Sequence, residues 1–428
     1  MQNPTSPWSK TLPRVVVLNG CHRFFMYQTA LACQQEGILE KFIAGGYLKN
    51  EALIKFLNSP TGRKILGTGV SKRLLTRRQE GLDPSKVVAL LAPDLVERLG
   101  RSPLAKRFAP GYFSYWSMKL FGRLSQYYVQ GADVLHVRSG YGRGAMARAK
   151  RAGAVCLVDH SIADPLVIAE MLQTEASRWG LPEEFPELHW RCVSQDLDAA
   201  DHILVNSDFV RDTLMAGRRI PADQITVLTL GLDLARFAPA PVASSKPEPF
   251  RILFAGEIGL RKGVLYLLQA WEKLKLPDAE LLLIGTVVDI EKRLAQINAK
   301  FRLLPVCPHA ELVSHYQKAS VFVFPSLMEG SARVIQEAMA CGLPIITTPN
   351  SGSIVKDGVE GFVVPIRDPE AISACILELY NHPARRREMG LAARAAAVRE
   401  FAPEVYHQGL MRLYAALRPD KFPESRPL

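Results

Sequence analysis

Two acidic residues, Glu329 and Glu337, stand where an ordinary core would place apolar or small side chains. Glu329 follows the apolar run 320–326 and directly precedes Gly330, where the pattern predicts that a helix begins. Glu337 falls two turns further on, inside an otherwise apolar helix. Carboxylates accept paired hydrogen bonds from sugar and ribose hydroxyls, and helix N-termini bind phosphate. The pair of carboxylates therefore favours a nucleotide-sugar site. The alternative is that Glu329 only interacts favourably with the helix dipole and that Glu337 is a solvated side chain.

The predicted helix start offers a second set of contacts. Its first backbone N–H groups have no partner within the helix, and the positive end of the dipole attracts anions. We predict that these groups meet a diphosphate. They belong to Gly330, Ser331, Ala332 and Arg333.

Two adjacent cations, Arg261 and Lys262, precede Gly263 at the first strand–helix turn of the second half. The dipole disfavours cations at a helix start, so the pair indicates that an anion lies nearby. We find nothing in the sequence that resembles an Asp-x-Asp metal site. We therefore predict a site without a metal ion, in which these cations replace a divalent ion.

The elements that must position these residues read as short, continuous apolar runs, each followed by a helical stretch. Such runs are typical of buried parallel strands. They lie at 14–20, 133–137, 154–159, 202–207, 251–256, 279–285, 320–326, 343–348 and 361–365. The basic region 50–128 is interpreted as helical. We predict an α/β protein with two doubly wound, Rossmann-like domains, whose ligands bind beyond the carboxyl ends of the strands.

The chain of 428 residues is too long for one compact core, so two domains are expected. The Pro-, Ala- and Ser-rich stretch 237–250 reads as a linker. It separates an N-terminal domain at 1–236 from a C-terminal domain at 251–400, which carries the predicted nucleotide-sugar site. A C-terminal helix and tail at 401–428 are predicted to pack back toward the N-terminal domain.

Composition points to an ordinary globular protein, since 48% of the residues are hydrophobic and 8% are aromatic. No apolar run approaches the roughly 20 residues that span a bilayer, and the first residues contain no apolar signal-peptide core. Seven cysteines occur singly, with no CxxC pattern, and read as reduced packing residues. We therefore expect a cytoplasmic protein.

The second half carries a specific resemblance. The stretch from Phe324 to Thr348, followed by 350–365, is similar to the donor-binding region of the retaining glycosyltransferases of family 4, and Glu329 and Glu337 match that family's E-x7-E motif. The resemblance implies the GT-B fold, with two domains facing a central cleft, and a nucleotide-diphosphate sugar of the UDP or GDP type as substrate. It assigns Glu337 to the donor ribose and Glu329 to the transferred sugar.

The same resemblance assigns Lys262 to the donor phosphates. Many relatives carry Arg directly after the strand glycine, where this chain has Glu257, and Arg261 is predicted to supply the missing guanidinium. In the first half, His160 at the end of the run 154–159 would lie near the transferred sugar as a catalytic residue, although a capping or solvated histidine is the structural alternative. Gly20 would lie close to the donor phosphate.

The predicted activity is sugar transfer with retention of configuration to a glycan, lipid-linked or small-molecule acceptor. The Gly- and Arg-rich stretch 136–145 would line the acceptor side. No cofactor is expected. One alternative is a sugar-nucleotide epimerase of similar architecture, which would turn over donor without an acceptor. Another is a basic nucleic-acid-binding protein, but no binding module or aromatic platform supports it, so we expect no nucleic-acid partner.

The excess of positive over negative charge lies in the first third of the chain. Residues 1–128 hold 19 Lys and Arg against 7 Asp and Glu, a net charge of +12, whereas the remaining 300 residues have a net charge of −1. The cations cluster at 61–79 and at 101–123, and within 101–123 they alternate with Phe, Tyr and Trp, a combination that suits an anionic membrane surface. We predict peripheral attachment at the inner face of the membrane through cations that include Arg73, Arg77 and Arg78. A solvated charged face is the alternative.

Overall fold

The computed structural model of this chain describes most of the residues from Leu12 to Phe422. The described residues are 12–61, 64, 75, 77–100, 102, 111–181, 187–240, 249–298 and 300–422. Much of the basic stretch 61–79, including Arg73, and most of the predicted linker lie outside them.

The first half is a sheet of seven parallel strands in the order β3-β2-β1-β4-β5-β6-β7. The strands β1–β7 are Val15–Gly20, Leu39–Ala44, Val87–Ala89, Val134–Arg138, Val155–His160, His202–Val205 and Ile225–Val227. The helices α1–α8 are Met26–Gln35, Glu51–Asn58, Leu91–Leu99, Tyr112–Ser125, Arg143–Arg151, Pro165–Trp179, Glu187–Asp198 and Asp208–Arg218.

The second half repeats this plan with six parallel strands in the order β10-β9-β8-β11-β12-β13. The strands β8–β13 are Phe250–Ala255, Ala279–Ile284, Arg302–Leu304, Val321–Phe324, Ile345–Thr347 and Gly361–Val363. The helices α9–α15 are Val264–Lys273, Glu291–Leu294, His309–Lys318, Arg333–Ala340, Pro369–Asn381, Pro383–Glu400 and Pro403–Leu417. Both strand orders step outward from the first strand in both directions, so the prediction of two doubly wound sheets is confirmed.

The central strands are apolar because helices cover both faces of each sheet. All four residues of β11 are buried, and so are the side chains from Val15 to Leu18 in β1. Helix starts carry the expected polar caps, since Asn50 and Ser207 accept hydrogen bonds from backbone N–H groups in the first turns of α2 and α8. Local sequence and burial therefore agree along most of the two sheets.

One part of the predicted secondary structure is wrong. The region 50–128 contains the strand β3 in addition to helices, and this strand pairs in parallel with β2. Its three residues are too few to give a readable hydrophobic period. Of the residues described, no helix combines the length and the hydropathy that are needed to cross a bilayer.

Two helices connect the halves. The last helix, α15, returns to the first sheet, where Tyr406, Leu410 and Tyr414 are buried with residues of β1 and β2. In the opposite direction, α6 belongs to the first half by sequence, but its Ala176 is buried in the core of the second half. These crossings hold the carboxyl ends of the two sheets close to each other.

Candidate active site

Glu329 lies at the centre of a cluster of polar side chains. Its Oε1 accepts a hydrogen bond from Arg261 Nη1 at 2.9 Å and another from Ser326 Oγ at 3.1 Å. Lys262 Nζ donates to the same oxygen. Side chains from two separate strand–helix loops therefore converge on one carboxylate, and they surround it with two cations.

Backbone geometry brings these loops together. Arg261 and Lys262 form a 3-10 turn after β8, which ends at Gly263 with a φ of +65°. A Cβ atom at Gly263 would lie 2.0 Å from the carbonyl oxygen of Pro325, so only glycine permits this approach. The carbonyl of Arg261 then accepts hydrogen bonds from the Leu327 N–H and the Ser326 hydroxyl.

The cluster carries one negative and two positive charges, and only about a tenth of the Lys262 and Glu329 side chains is exposed. Burial lowers the pKa of Lys262, and the neighbouring Glu329 carboxylate opposes this change. Glu257 lies 3.9 Å from Arg261 and is half exposed, so it compensates the charge of Arg261 only weakly. The surplus positive charge makes this cluster suitable for a phosphate group.

Glu337 projects from α12 into a different environment. Its Oε2 accepts a hydrogen bond from the Tyr316 hydroxyl at 3.0 Å, and the Tyr316 side chain is completely buried. Burial raises the pKa of the Glu337 carboxyl, whereas the hydrogen bond from Tyr316 and the nearby Arg333 guanidinium lower it. Glu337 is therefore not a solvated residue, which contradicts the structural alternative that the sequence left open.

The helix with Glu337 begins later than predicted. It starts at Arg333 with Ala332 as its N-cap, because the N–H of Ala332 bonds instead to the Ser351 carbonyl at 3.2 Å. Ser331 accepts a hydrogen bond from Gln336, and Gly330 packs on the first half. The predicted phosphate contacts of Gly330, Ser331 and Ala332 thus lie in the loop before α12 and not in its first turn.

Gly330 is one of the points where the two halves touch. A Cβ atom there would lie 1.9 Å from the Ser161 carbonyl oxygen, and the Ser207 hydroxyl donates to the Gly330 carbonyl. Ser161 directly follows His160 at the end of β5. This contact places the Glu329 loop beside the strand end that carries His160.

Both ring nitrogens of His160 have partners. Nε2 lies 3.4 Å from the Ala163 carbonyl, which can only accept, so the proton is on Nε2 and Nδ1 accepts from Ser139 Oγ at 3.0 Å. Burial lowers the pKa of His160 to about 3, with a smaller contribution from Arg138. The ring is therefore neutral near pH 7, and it is neither a solvated histidine nor a source of positive charge.

Gly20 lies at the end of β1 with a φ of +85°. A Cβ atom would approach the ring of Tyr141 to 2.6 Å, so the position requires glycine. Tyr141 comes from the Gly- and Arg-rich stretch 136–145, and its hydroxyl lies 3.3 Å from His22 Nδ1. The Gly20 turn and this stretch therefore form one surface at the end of the first sheet.

A cleft of about 1480 Å³ runs between the two sheets. Its first-half wall includes His160, Arg138 and Asp159, and its second-half wall includes Arg333 and Glu337. As far as the described residues show, the Glu329 cluster is not part of the lining and adjoins the cleft through Gly330. His160 and Glu337 thus line the same cleft. Glu329, Arg261 and Lys262 form a separate cluster next to it.

Sequence reasoning overlooked several residues of this region. One is Tyr316, which had the appearance of an ordinary core aromatic. Another is the ion pair of Arg138 with Asp159, at 2.7 Å, which joins two strand ends that are 21 residues apart in the sequence. The serine directly after an apolar strand was the available signal for Ser326. The contacts themselves depend on chain segments that are distant in sequence.

An Asp-x-Asp sequence does occur in the first half, at Asp196 and Asp198. Asp196 Oδ2 accepts hydrogen bonds from the N–H groups of Gly140 and Gly142, at 2.7 and 2.8 Å. Burial raises the pKa of Asp196 to about 7, and these backbone hydrogen bonds oppose the increase. Asp198 is exposed and pairs with Arg218 at 2.7 Å. The two carboxylates thus hold loops and do not converge on a common point.

Comparison with known proteins agrees with this geometry. Residues 249–382 match the family described as "Glycosyl transferases group 1", and residues 67–236 match "Glycosyltransferase Family 4". A D-inositol 3-phosphate glycosyltransferase 1 from Catenulispora acidiphila is 30% identical over 244 residues, which are 51% of this chain and 57% of that protein. The chain spans about half to two thirds of the length of the curated relatives that it matches.

Solved structures extend the similarity over both halves. Sucrose-phosphate synthase from Thermosynechococcus elongatus is 18% identical, with a TM-score of 0.66 and coverage of 95% of this chain and 100% of that chain. HepE from Anabaena in complex with UDP is 14% identical, with a TM-score of 0.60 and coverage of 94% and 100%. At this level of identity the likeness concerns the fold.

Proposed function

We propose a sugar-transfer reaction for this chain, which belongs to the glycosyltransferases of family 4 and has the GT-B fold. A sugar would pass from a nucleotide-diphosphate donor to a glycan, lipid-linked or small-molecule acceptor, with retention of the anomeric configuration. The observation that carries the proposal is the convergence of Arg261 and Lys262 on Glu329, beside the cleft that Glu337 and His160 line.

The donor diphosphate would bind at the two cations. Glu329 holds Arg261 and Lys262 together against their mutual repulsion, so the site is organised before the donor arrives. Backbone N–H groups of Gly330 and Ser331 and the turn at Gly20 would contact the phosphates from either side, whereas the N–H of Ala332 already donates to the Ser351 carbonyl. Such charge-assisted contacts would stabilise the leaving diphosphate without a divalent ion, and EDTA should therefore not abolish transfer.

The donor ribose would bind at Glu337. Tyr316 orients one carboxylate oxygen, and the second oxygen remains available to the ribose hydroxyls. The UDP complex of HepE supports a UDP-type donor, and GDP is the alternative to be compared with it.

Near the transferred sugar, Glu329 would be the charged residue and His160 the neutral one. An oxocarbenium-like transition state is expected by analogy with glycoside chemistry. Because the pKa of His160 lies far below 7, its ring would stay neutral beside the sugar and would not act as a general acid.

The acceptor side is proposed to include an anionic membrane surface. Helices α3 and α4 expose Leu91, Leu95, Tyr112 and Trp116, within the part of the chain that carries the excess positive charge. Arg77 and Arg78 contribute less than the sequence indicated, since Asp94 and Glu51 pair with them at 2.7 and 2.8 Å. Attachment through the exposed aromatic and apolar side chains would present a lipid-linked or envelope-bound acceptor to the cleft at the cytoplasmic face.

The proposal is tested by incubating the purified chain with UDP- and GDP-sugars, with and without candidate acceptors, and following the anomeric protons by NMR. Acceptor-dependent transfer that keeps the donor's anomeric configuration is expected. Inversion of configuration would contradict the retaining mechanism. Conversion of the donor sugar in the absence of any acceptor would support the epimerase alternative, which the relatives compared above do not favour because they are glycosyltransferases.

A further inference from the structure

Three side chains of different chemistry converge on the surface of the second half, away from the cluster at Glu329. They are Cys307, Glu311 and His315, and one potential ligand atom from each lies within 4.8 Å of the others. His315 Nε2 lies 3.9 Å from Glu311 Oε1. This group has no part in the proposed transfer reaction.

The spacing of four residues explains why the three side chains meet. Glu311 and His315 are one turn apart on α11, and residues four apart lie on the same helix face. Cys307 stands just before Pro308, the N-cap of the helix, and the chain that enters the helix brings its thiol next to these two side chains. The helix therefore fixes Glu311 and His315 relative to each other, and the turn before it adds Cys307.

The group has the composition of a transition-metal site. Thiolate, imidazole and carboxylate together suit Zn²⁺, whereas Mg²⁺ and Ca²⁺ prefer oxygen ligands alone. In a tetrahedral Zn²⁺ site the ligand atoms lie about 3.3–3.6 Å apart. The 3.9 Å between His315 and Glu311 needs only a small side-chain rotation to reach this range.

The surroundings do not forbid a cation. Arg251, Lys318 and Arg302 lie near His315, and the two arginines donate to the Glu280 carboxylate, which compensates their charge. Cys307 and His315 are partly buried and Glu311 is exposed, so an ion can enter from solvent and keep a water molecule as its fourth ligand.

We propose that Cys307, Glu311 and His315 bind one Zn²⁺ ion per chain. The ion would join Cys307, two residues before α11, to the first two turns of that helix. The next residue, Tyr316, holds Glu337 in the cleft, so the metal would stabilise the helix from which that hydrogen bond is made. Its role is structural, and it does not conflict with sugar transfer without a catalytic metal.

The experiment uses the full chain without nucleotide, so that its outcome is independent of the proposed transfer reaction. Zn²⁺ binding is measured by competition with a chromophoric chelator and by elemental analysis after desalting. We expect one Zn²⁺ per chain and an increase of the Tm with Zn²⁺. Cys307→Ser and His315→Ala should each weaken binding about tenfold or more, and Glu311→Gln should weaken it by a smaller factor.

Two variants serve as matched controls. Cys375→Ser removes another partly buried cysteine, and His382→Ala breaks a histidine–glutamate pair with the same spacing of four residues but no thiol in the group. Both should bind Zn²⁺ like the original chain. Co²⁺ adds a direct probe, because a thiolate ligand gives a charge-transfer absorption in the near ultraviolet.

We expect this Co²⁺ absorption in the original chain and in Cys375→Ser, and its loss in Cys307→Ser. The proposal is overturned if the double variant Cys307→Ser/His315→Ala binds Zn²⁺ as tightly as the original chain. It is equally overturned if the Co²⁺ absorption persists in Cys307→Ser or disappears in Cys375→Ser.

Discussion

At the scale of single residues, Glu329 has two roles that a substitution can separate. It holds Arg261 and Lys262, and it is proposed to meet the transferred sugar. Glu329→Gln should lower the transfer rate by orders of magnitude, because the charge near the reacting sugar is lost. Binding of the nucleotide diphosphate should stay nearly unchanged, since the amide oxygen of Gln can still accept hydrogen bonds from Arg261 and Lys262.

The measurement for Glu329→Gln is the turnover rate together with the Kd of UDP by calorimetry. Glu257→Gln is the matched control, because Glu257 also lies near Arg261, at 3.9 Å, but is more exposed. Unchanged turnover in Glu329→Gln would remove this carboxylate from the reaction.

Lys262 is predicted to contact phosphate and not the nucleoside. A charge-assisted contact contributes about 1.5–3 kcal/mol, so Lys262→Ala should weaken UDP binding about 10- to 150-fold. Binding of uridine should change little. Lys273→Ala, which removes an exposed lysine of α9, should affect neither ligand. Equal losses for UDP and uridine would show that Lys262 does not contact the diphosphate.

Tyr316 is predicted to be a positioning residue that acts through Glu337. Tyr316→Phe removes the hydrogen bond to a buried carboxylate, which should cost about 1–3 kcal/mol of stability. It should also weaken UDP binding several-fold and leave inorganic pyrophosphate binding unchanged, because only the ribose contact is disturbed. Tyr380→Phe removes a hydroxyl that donates to a backbone carbonyl elsewhere in the same half, and it should change neither ligand. A lower Tm with unchanged UDP affinity would contradict the positioning role.

At the scale of elements, α6 is the helix whose place the sequence did not indicate. Its Glu175 is completely buried against the second half, where it accepts hydrogen bonds from the Tyr266 hydroxyl at 2.8 Å and from Arg367. A buried ion pair that loses one partner leaves an uncompensated charge. This pair therefore fixes α6 to the second half.

Arg367→Ala should reduce the free energy of unfolding by about 3 kcal/mol, because Glu175 would remain buried without its cation. Arg385→Ala breaks the exposed pair of Arg385 with Glu378 and should cost less than about 1 kcal/mol. Urea unfolding followed by circular dichroism measures both. Similar losses for the two variants would show that Glu175 is not held through Arg367.

At the scale of the whole molecule, the charge asymmetry and the exposed apolar side chains of α3 and α4 predict membrane attachment. Co-sedimentation should require vesicles with anionic lipid and should weaken as salt is raised, because the attraction is screened. Leu95→Ser combined with Trp116→Ser should reduce binding several-fold. Leu391→Ser, at an exposed leucine of the second half, is the control. Absence of binding to anionic vesicles at low salt would indicate a solvated charged face.

The sequence by itself determined the two-sheet plan, most of its strands and the positions of the candidate residues along the chain. Long apolar runs such as β8, β9 and β11 are readable because strands covered on both faces are apolar throughout. The carboxyl ends of parallel strands share one edge, so His160 and Glu329 were expected at the cleft. Strands β2, β3, β7 and β10 were not among the predicted runs. In β2 the charged Glu40 and Lys41 interrupt the apolar run, and the other three strands have only three residues each.

Tertiary structure alone decided the contacts of these residues. The hydrogen bond of Lys262 with Glu329 joins positions 67 residues apart, and that of Tyr266 with Glu175 joins positions 91 residues apart. Local pattern carries no information about such pairs, because they depend on how two sheets and their connecting helices pack. For the same reason, the sequence placed a carboxylate and two cations in the donor site, and only the folded chain showed that they hold each other.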